Sequence, residues 1–163
     1  PTCFVTSVEM KQTPVLGQLS LLAGCLFVER RDKSKLRNEI AQIAQGLKKK
    51  LRVIIFPEAT STNGESVRRF RRPLFASAQS SGRPVYALCL NYLEVSKRPV
   101  SLENRDLIFW YDDMTFFAHF WNLLKQTNII VSVKALGQVV GADAAELAAN
   151  SYELIKQSYR PIH

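Results

Sequence analysis

One amphipathic helix framed by two apolar runs restricts the folds open to this chain more than any other feature. From Ser34 to about Lys50, the residues Leu36, Ile40, Ile43, Ala44 and Leu47 recur at helical spacing and share one face. Ser34 carries the oxygen an N-cap needs, and Lys48, Lys49 and Lys50 fall in the last turn, where the helix dipole favours cations. Before the helix stands CLFVER (Cys25–Arg30). After it comes RVIIF, a continuous β-branched run with the pattern of a strand covered on both faces. Strand, helix and strand at this pace call for a crossover connection and a parallel pair.

The remainder repeats the alternation. CFVTSV (Cys3–Val8) reads as a first strand and PVLGQLSLLAG as a short helix ending at Gly24. Pro73 suits the first turn of a helix covering Leu74, Phe75, Ala76 and Ala78 and ending near Gly82. PVYALCLNY (Pro84–Tyr92) is the next strand, and Leu93–Arg105 a polar connection containing Pro99. DLIFWY is a further strand, TFFAHFWNLLKQ a helix, NIIVSVKAL a strand, and Asp143–Tyr159 a closing helix capped by Asp143. The expected class is α/β, a mostly parallel sheet with helices on both faces, in one domain over residues 1–163.

Charge narrows the partners. A net charge of +8 and a pI near 9.6 favour an anionic one: nucleic acid, phospholipid headgroups or a phosphorylated metabolite. Cys3, Cys25 and Cys89 show no CxxC or Cys/His spacing, so they read as small reduced hydrophobes rather than a disulfide frame or zinc site. Val15–Val28, the longest apolar stretch, is interrupted by Gly17, Gln18, Ser20 and Gly24 and is too mixed to span a bilayer. The chain opens on PTCFVTS with neither Met nor signal peptide, the expected look of a segment of a longer protein.

The polar chemistry concentrates in FPEATSTNG (Phe56–Gly64), straight after RVII. Sites in such folds form outside the carboxyl ends of strands, where this stretch and ERRD (Glu29–Asp32) both fall and could face each other. Glu58 either accepts a hydrogen bond from a bound hydroxyl or pairs with a neighbouring Arg. Thr60, Ser61 and Thr62 supply hydroxyls. Arg30 or Arg31 either offers a guanidinium to phosphate or ends a strand in solvent. RRFRRP (Arg68–Pro73) fits nucleic-acid phosphates with Phe70 stacked on a base, anionic headgroups, or a merely solvated charge run. His119 reads as a packed or half-exposed helix histidine, Asp112-Asp113 as a turn and helix cap rather than a metal site, and Phe116, Phe117, Phe120 and Trp121 as mostly core, with a minority of the cluster facing a lipid chain.

The succession TPVLGQLSLLAGCLFVERRD, VIIFPEATSTNGESVRRFRRPLFASA and GRPVYALCLNY resembles the glycerolipid acyltransferases of the PlsC-like, lysophosphatidic acid acyltransferase family. Gly24, Phe27 and Arg30 fall on that family's Gly-x-x-Phe-x-x-Arg block. Phe56, Pro57, Glu58 and Thr60 fall on its Phe-Pro-Glu-Gly-Thr block, Phe70 and Arg71 on the basic tail, and Pro84 on the last block. FFAHFWNLLKQTNIIVSVKAL resembles the family's C-terminal part. The resemblance implies transfer of a fatty acyl group from acyl-CoA or acyl carrier protein to a lysophospholipid hydroxyl. It also implies work at the cytoplasmic face of an anionic membrane, peripherally, with no metal, no further cofactor and no nucleic acid. By the same resemblance Arg30 contacts the acceptor phosphate, Glu58 and Thr60 shape the acceptor site, and Arg71 supports headgroup binding.

The departures are specific. Ala59 replaces the Gly after Glu, Ser61 the usual Arg, Pro73 a Gly and Ala87 a second Pro. The ATSTN stretch is closer to the lysophosphatidylcholine acyltransferase form, so these changes bear on headgroup more than reaction. The family's His-x-x-x-x-Asp block, which supplies the general base, has no counterpart here. Five residues after His119 stands Leu124, and His163 is terminal. The dyad is expected just upstream of Pro1, leaving residues 1–163 inactive alone. An inert lipid-binding module of the same fold and a basic nucleic-acid-binding domain are the alternatives.

Overall fold

The computed structural model describes residues 2–29 and 33–163, with side chains from residue 36 onward in the helix that opens at Lys33. The chain divides into two compact units, residues 1–57, 71–85 and 140–148, and residues 58–70, 86–139 and 149–163.

In the first unit, β1 (Thr2–Ser7) is the central strand of a parallel sheet ordered β2-β1-β3, with β2 at Leu26–Val28 and β3 at Arg52–Ile54. Val5 pairs with Leu26, and Cys3 with Val53. Helix α3 (Lys33–Lys48) supplies the crossover and buries Ile43, 1% exposed, against Val5 and Val28, with Leu26, Leu47, Val53, Ile55 and Leu74 packed around them. The α/β class is borne out, and the amphipathic face is the one expected. Ser34 lies inside the helix rather than at its cap, because the first turn already includes Lys33. One expectation is corrected: RVIIF is not covered on both faces. Phe4 and Phe56, 43% and 53% exposed, stack on each other at 6.4 Å on the face opposite Ile43. Between β1 and β2 the chain forms α1 (Val8–Gln12), unforeseen, and α2 (Leu16–Leu22). A side chain at Gly17 would strike the Lys11 carbonyl, so glycine lets these two short helices touch.

Three helices end in the same way before a strand. At α2 the Gly24 N–H donates to the Leu21 carbonyl and the Cys25 N–H to Ser20, both at 3.0 Å. At α3 the Lys50 and Leu51 N–H groups donate to Leu47 and Gly46 at 3.1 Å. At α4 (Phe75–Ser81) the Gly82 and Arg83 N–H groups donate to Gln79 at 3.3 Å and Ala78 at 3.2 Å. Each has a left-handed residue just past the helix, and this doubly bonded stop turns the chain sharply. Arg83 also donates from Nε to the Leu47 carbonyl at 3.0 Å, placing a cation at the negative end of α3.

The second unit is built on β4 (Val85–Val95), in a sheet ordered β5-β4-β6 with β5 at Arg98–Pro99 and β6 at Ile129–Val139. Ala87, Cys89, Asn91 and Val95 of β4 are buried, whereas Tyr86, Leu88, Leu90 and Tyr92 alternate with them and are exposed. The connection expected over Leu93–Arg105 is largely a hairpin. Ser96 and Lys97, both at positive φ, form its turn, held by N–H bonds to the Asn128 carbonyl at 2.9 Å and side chain at 2.8 Å. DLIFWY is not a strand. Asn104 donates to the Pro99 carbonyl and accepts the Ser101 N–H, both at 2.9 Å, and a 3₁₀ turn (Arg105–Leu107) follows. Local side-chain bonds of this kind compete with a ladder. Helix α5 (Phe116–Leu124) matches expectation in place; of its aromatic residues Phe116 and Phe120 are half-buried, and Phe117 and Trp121 are exposed, Trp121 by 61%. The closing helix α6 (Ala144–Ser158) is capped as expected: Asp143 Oδ1 accepts the Ala145 and Glu146 N–H groups at 2.7 and 2.9 Å.

Lys50 occupies, at φ +67°, a position where a lysine side chain is strained and glycine is not. Lys50→Gly is therefore expected to stabilise the chain by about 0.5–1 kcal/mol and raise Tm by roughly 1–3 °C in thermal unfolding. An unchanged or lower Tm would show that the left-handed backbone here carries no net cost for lysine.

Candidate functional site

After Pro57 the chain leaves the first unit and returns at Arg71, whose N–H donates to the Pro57 carbonyl at 2.9 Å. The intervening segment, Glu58–Phe70, carries no helix or strand and is held by side chains. Glu58 is half-buried, and its Oε2 accepts the Arg68 N–H at 2.7 Å, closing the segment into a loop. The sequence reading allowed an arginine partner for Glu58; the bond observed comes from the backbone of one. Oε1 makes no hydrogen bond among the described residues. Burial lifts the Glu58 carboxyl above its ordinary range, opposed by the Arg68 N–H and then by the Arg68 charge.

Inside the loop, Ala59 sits at φ +59° where the family block has glycine. Thr60 is exposed, and its hydroxyl donates to the neighbouring Ser61 carbonyl at 3.3 Å. Asn63 Oδ1 accepts the Glu65 N–H at 3.2 Å, the turn that Asn63-Gly64 announces. Phe70 closes the loop from inside: it is buried, edge-on to Tyr152 at 5.6 Å. This removes Phe70 as a base-stacking residue. Around it Arg68, Arg69, Arg71 and Arg72 are exposed.

The other residues singled out lie in the first unit and act on its frame. Gly24 ends α2 at φ +69°. Phe27 of β2 lies under the Lys11 ammonium, 5.7 Å from the ring centre. Phe56 stacks on Phe4, Pro57 accepts the Arg71 N–H, and Pro84 is exposed ahead of β4. Arg71 presents its guanidinium to solvent, without an ion pair among the described residues. Arg30 lies outside the described residues. The residue before it is anchored: the Glu29 N–H donates to both oxygens of Glu39 on α3, at 2.9 and 2.8 Å. The structure thus brings Glu58 and Thr60 together on one loop with Arg68. Arg68 was legible only as part of a charge cluster, and no sequence signal marked Glu39.

His119 is buried on α5, 8% exposed, as a packed histidine, and its Nδ1 has no hydrogen-bond partner among the described residues. Asp112 and Asp113 form a turn, with Asp112 at φ +48°, and Thr115 rather than either Asp precedes the helix. Among the described residues no helix is long and apolar enough to cross a membrane.

With this geometry in place, the fold can be compared. It matches the crystal structure of the 1-acyl-sn-glycerophosphate acyltransferase PlsC from Thermotoga maritima with a TM-score of 0.58, over 97% of this chain and 55% of that one, at 15% identity. The class is therefore the α/β fold of a glycerolipid acyltransferase. The acyltransferase family model matches residues 1–91, and the chain belongs to that family. It is 31% identical over 159 residues to a lyso-ornithine lipid O-acyltransferase of Pseudomonas aeruginosa, covering 96% of this chain and 58% of that protein. It is 27% identical over 165 residues to a 1-acyl-sn-glycerol-3-phosphate acyltransferase of Neisseria gonorrhoeae, covering 99% and 61%. The chain thus spans about three-fifths of the length of these relatives.

The raised Glu58 carboxyl has a defined consequence for stability. A carboxyl that holds its proton more tightly folded than unfolded favours the fold at low pH, and that contribution is lost as pH rises through the raised value. Compared by urea unfolding, wild type is expected to gain on Glu58→Gln as pH falls from about 7 to about 4. The opposite trend would mean that the Arg68 bond and charge outweigh burial.

Proposed function

We propose that the full-length protein moves a fatty acyl group from acyl-CoA or acyl carrier protein to the hydroxyl of a lysophospholipid. The observation that carries this reading is the divided use of Glu58. One oxygen holds the loop through Arg68, and the other is available to a hydroxyl. In the reaction the acceptor oxygen attacks the thioester carbonyl, a C–O bond replaces the C–S bond, and the thiol departs. The hydroxyl proton passes to a general base and on to the leaving thiolate. Glu58 and Thr60 shape the acceptor site, Arg30 contacts the acceptor phosphate and Arg71 supports it. His119 is a poor candidate for the base because it is buried on α5 with no acidic residue one turn on. The base in this reading belongs to a His-x4-Asp block outside residues 1–163, for which the greater length of the relatives leaves room, and residues 1–163 alone are inactive.

The decisive experiment assays the full-length protein with 1-acylglycerol-3-phosphate and lyso-ornithine lipid as acceptors, since relatives bear both names. Glu58→Gln keeps an oxygen for the Arg68 N–H. It is expected to retain Tm while losing about one to two decades of kcat/KM, the worth of a lost charge-assisted bond of roughly 1.5–3 kcal/mol. Arg30→Ala is expected mainly to raise KM for the phosphate-bearing acceptor, because a phosphate clamp grips ground and transition states alike. A destabilised but fully active Glu58→Gln would make FPEATSTNG scaffolding and end this assignment.

In this reading the protein works at the cytoplasmic face of a membrane, held peripherally, with any anchor outside this chain. The exposed Lys48–Lys50 and the four exposed arginines of RRFRRP support an anionic surface, and the buried Phe70 speaks against single-stranded nucleic acid. Binding to anionic vesicles is expected to weaken steeply between low and physiological salt, as screened charge requires, and to exceed binding to neutral vesicles and to oligonucleotides. Tighter binding to an oligonucleotide at physiological salt would reverse the order of the two readings.

A further inference from the structure

Gly64 sits between Glu58 and Arg68 in the closed loop, and the rest of the second unit converges on it. Its carbonyl accepts two hydrogen bonds, from the Tyr159 hydroxyl at 2.7 Å and from the Ile162 N–H at 3.1 Å. Its φ is +82°, and a Cβ there would come within 2.5 Å of Ile162 Cδ1 and 2.8 Å of Phe109 Cζ. The loop backbone is therefore seated in a cradle that admits only glycine. Beside it, Glu65 pairs with Arg105.

Tyr159 is itself fixed from both sides. Its N–H donates to the Ile155 carbonyl at 2.8 Å, continuing the last turn of α6. Asn91, buried on β4, donates to the Ser158 carbonyl at 3.3 Å and accepts the Arg160 N–H at 2.7 Å. The two neighbours of Tyr159 are thus bolted to the central strand of the sheet. The hydroxyl then carries that rigid position to Gly64. We propose that Tyr159 is a positioning residue for the acyl-transfer site: through Gly64 it sets the loop that aims Glu58. This rests on the reading of Glu58 given above. The phenol remains a donor at every working pH, since burial, with the Glu58 charge adding, pushes its pKa up to about 12.

The test uses the full-length protein and Tyr159→Phe, which keeps the ring and removes one bond to Gly64. Amide hydrogen exchange is expected to quicken by about 3- to 10-fold at residues 60–67, the worth of one net hydrogen bond, with β1 and β4 amides unchanged. With 1-acylglycerol-3-phosphate as acceptor, kcat/KM is expected to fall by a similar factor, and to fall no further when Tyr159→Phe is added to Glu58→Gln. No change in the loop amides, or equal quickening across β4 and α6, would overturn the proposal, as would additive losses in the double variant. Gly64→Ala attacks the same seat from the loop side and is expected to quicken the same amides. A fully active Glu58→Gln would instead remove the role given to Glu58, leaving the exchange pattern to decide whether Tyr159 pins the loop.

Discussion

Ile43, wedged between Val5 and Val28, is the contact on which the first unit depends. Parallel strands cannot be joined by a turn, so β1, β2 and β3 hold together only if their crossovers pack back on the sheet. Burial of one α3 side chain also sets the register. Strand side chains alternate, and a slip of one residue in β1 would bring Phe4 to the face that Val5 occupies. With Val5 held down, Cys3 and Val53 lie on the buried side, and Phe4 and Phe56 are committed to the other. The direction in which the chain leaves β3 follows, and so does the place where the Glu58 loop departs.

The loop itself obeys a different constraint. A segment without helix or ladder has to find partners for its backbone elsewhere, and a half-buried carboxylate needs donors to remain ionised. One bond answers both needs at Glu58, whose Oε2 takes the Arg68 N–H. The middle is pinned at Gly64 and the far end at Phe70, and both pins come from the C-terminal part of the chain, Tyr159 and Ile162 for the first and Tyr152 for the second. Chemistry placed on a loop gains precision only from such anchors, since the loop has little rigidity of its own.

What the sequence disclosed follows from the range of the interactions. Helical spacing located α3, α5 and α6, and Asp143 announced its own cap, because these signals are written within one or two turns. The Phe-Pro-Glu stretch stood out as a polar loop straight after a strand for the same reason. DLIFWY misled because its apolar run satisfies a strand pattern while Asn104, a residue outside the run, spends its amide on the local backbone. The Ser96-Lys97 turn lacks the glycine that marks such hairpins, and its support comes from Asn128, distant in sequence. Periodicity likewise says which residues share a face but not whether anything covers it, so Trp121 and Phe56 read as core and stand exposed. The Tyr159–Gly64 bond joins residues 95 apart, beyond any pattern in a window.

The positions of backbone strain follow the same division. Val15, at φ +66° and ψ −54°, lies in a tight γ-turn closed by the Leu16 N–H on the Pro14 carbonyl at 2.7 Å, a costly conformation for a β-branched residue. Lys50 is held by the helix stop and by Arg83, and Ser96 and Lys97 by Asn128. Each strained residue thus sits where surrounding bonds over-determine the backbone, which is the condition for strain to persist. Ala59 meets that condition through its neighbour, because the Glu58–Arg68 bond fixes the chain immediately before it. A glycine at this position would adopt φ +59° without cost and leave the turn free to sample other conformations. Alanine reaches the same turn at a cost of about 1 kcal/mol, but once there it has fewer alternatives. The methyl group therefore trades stability for definition at the residue that follows the carboxylate.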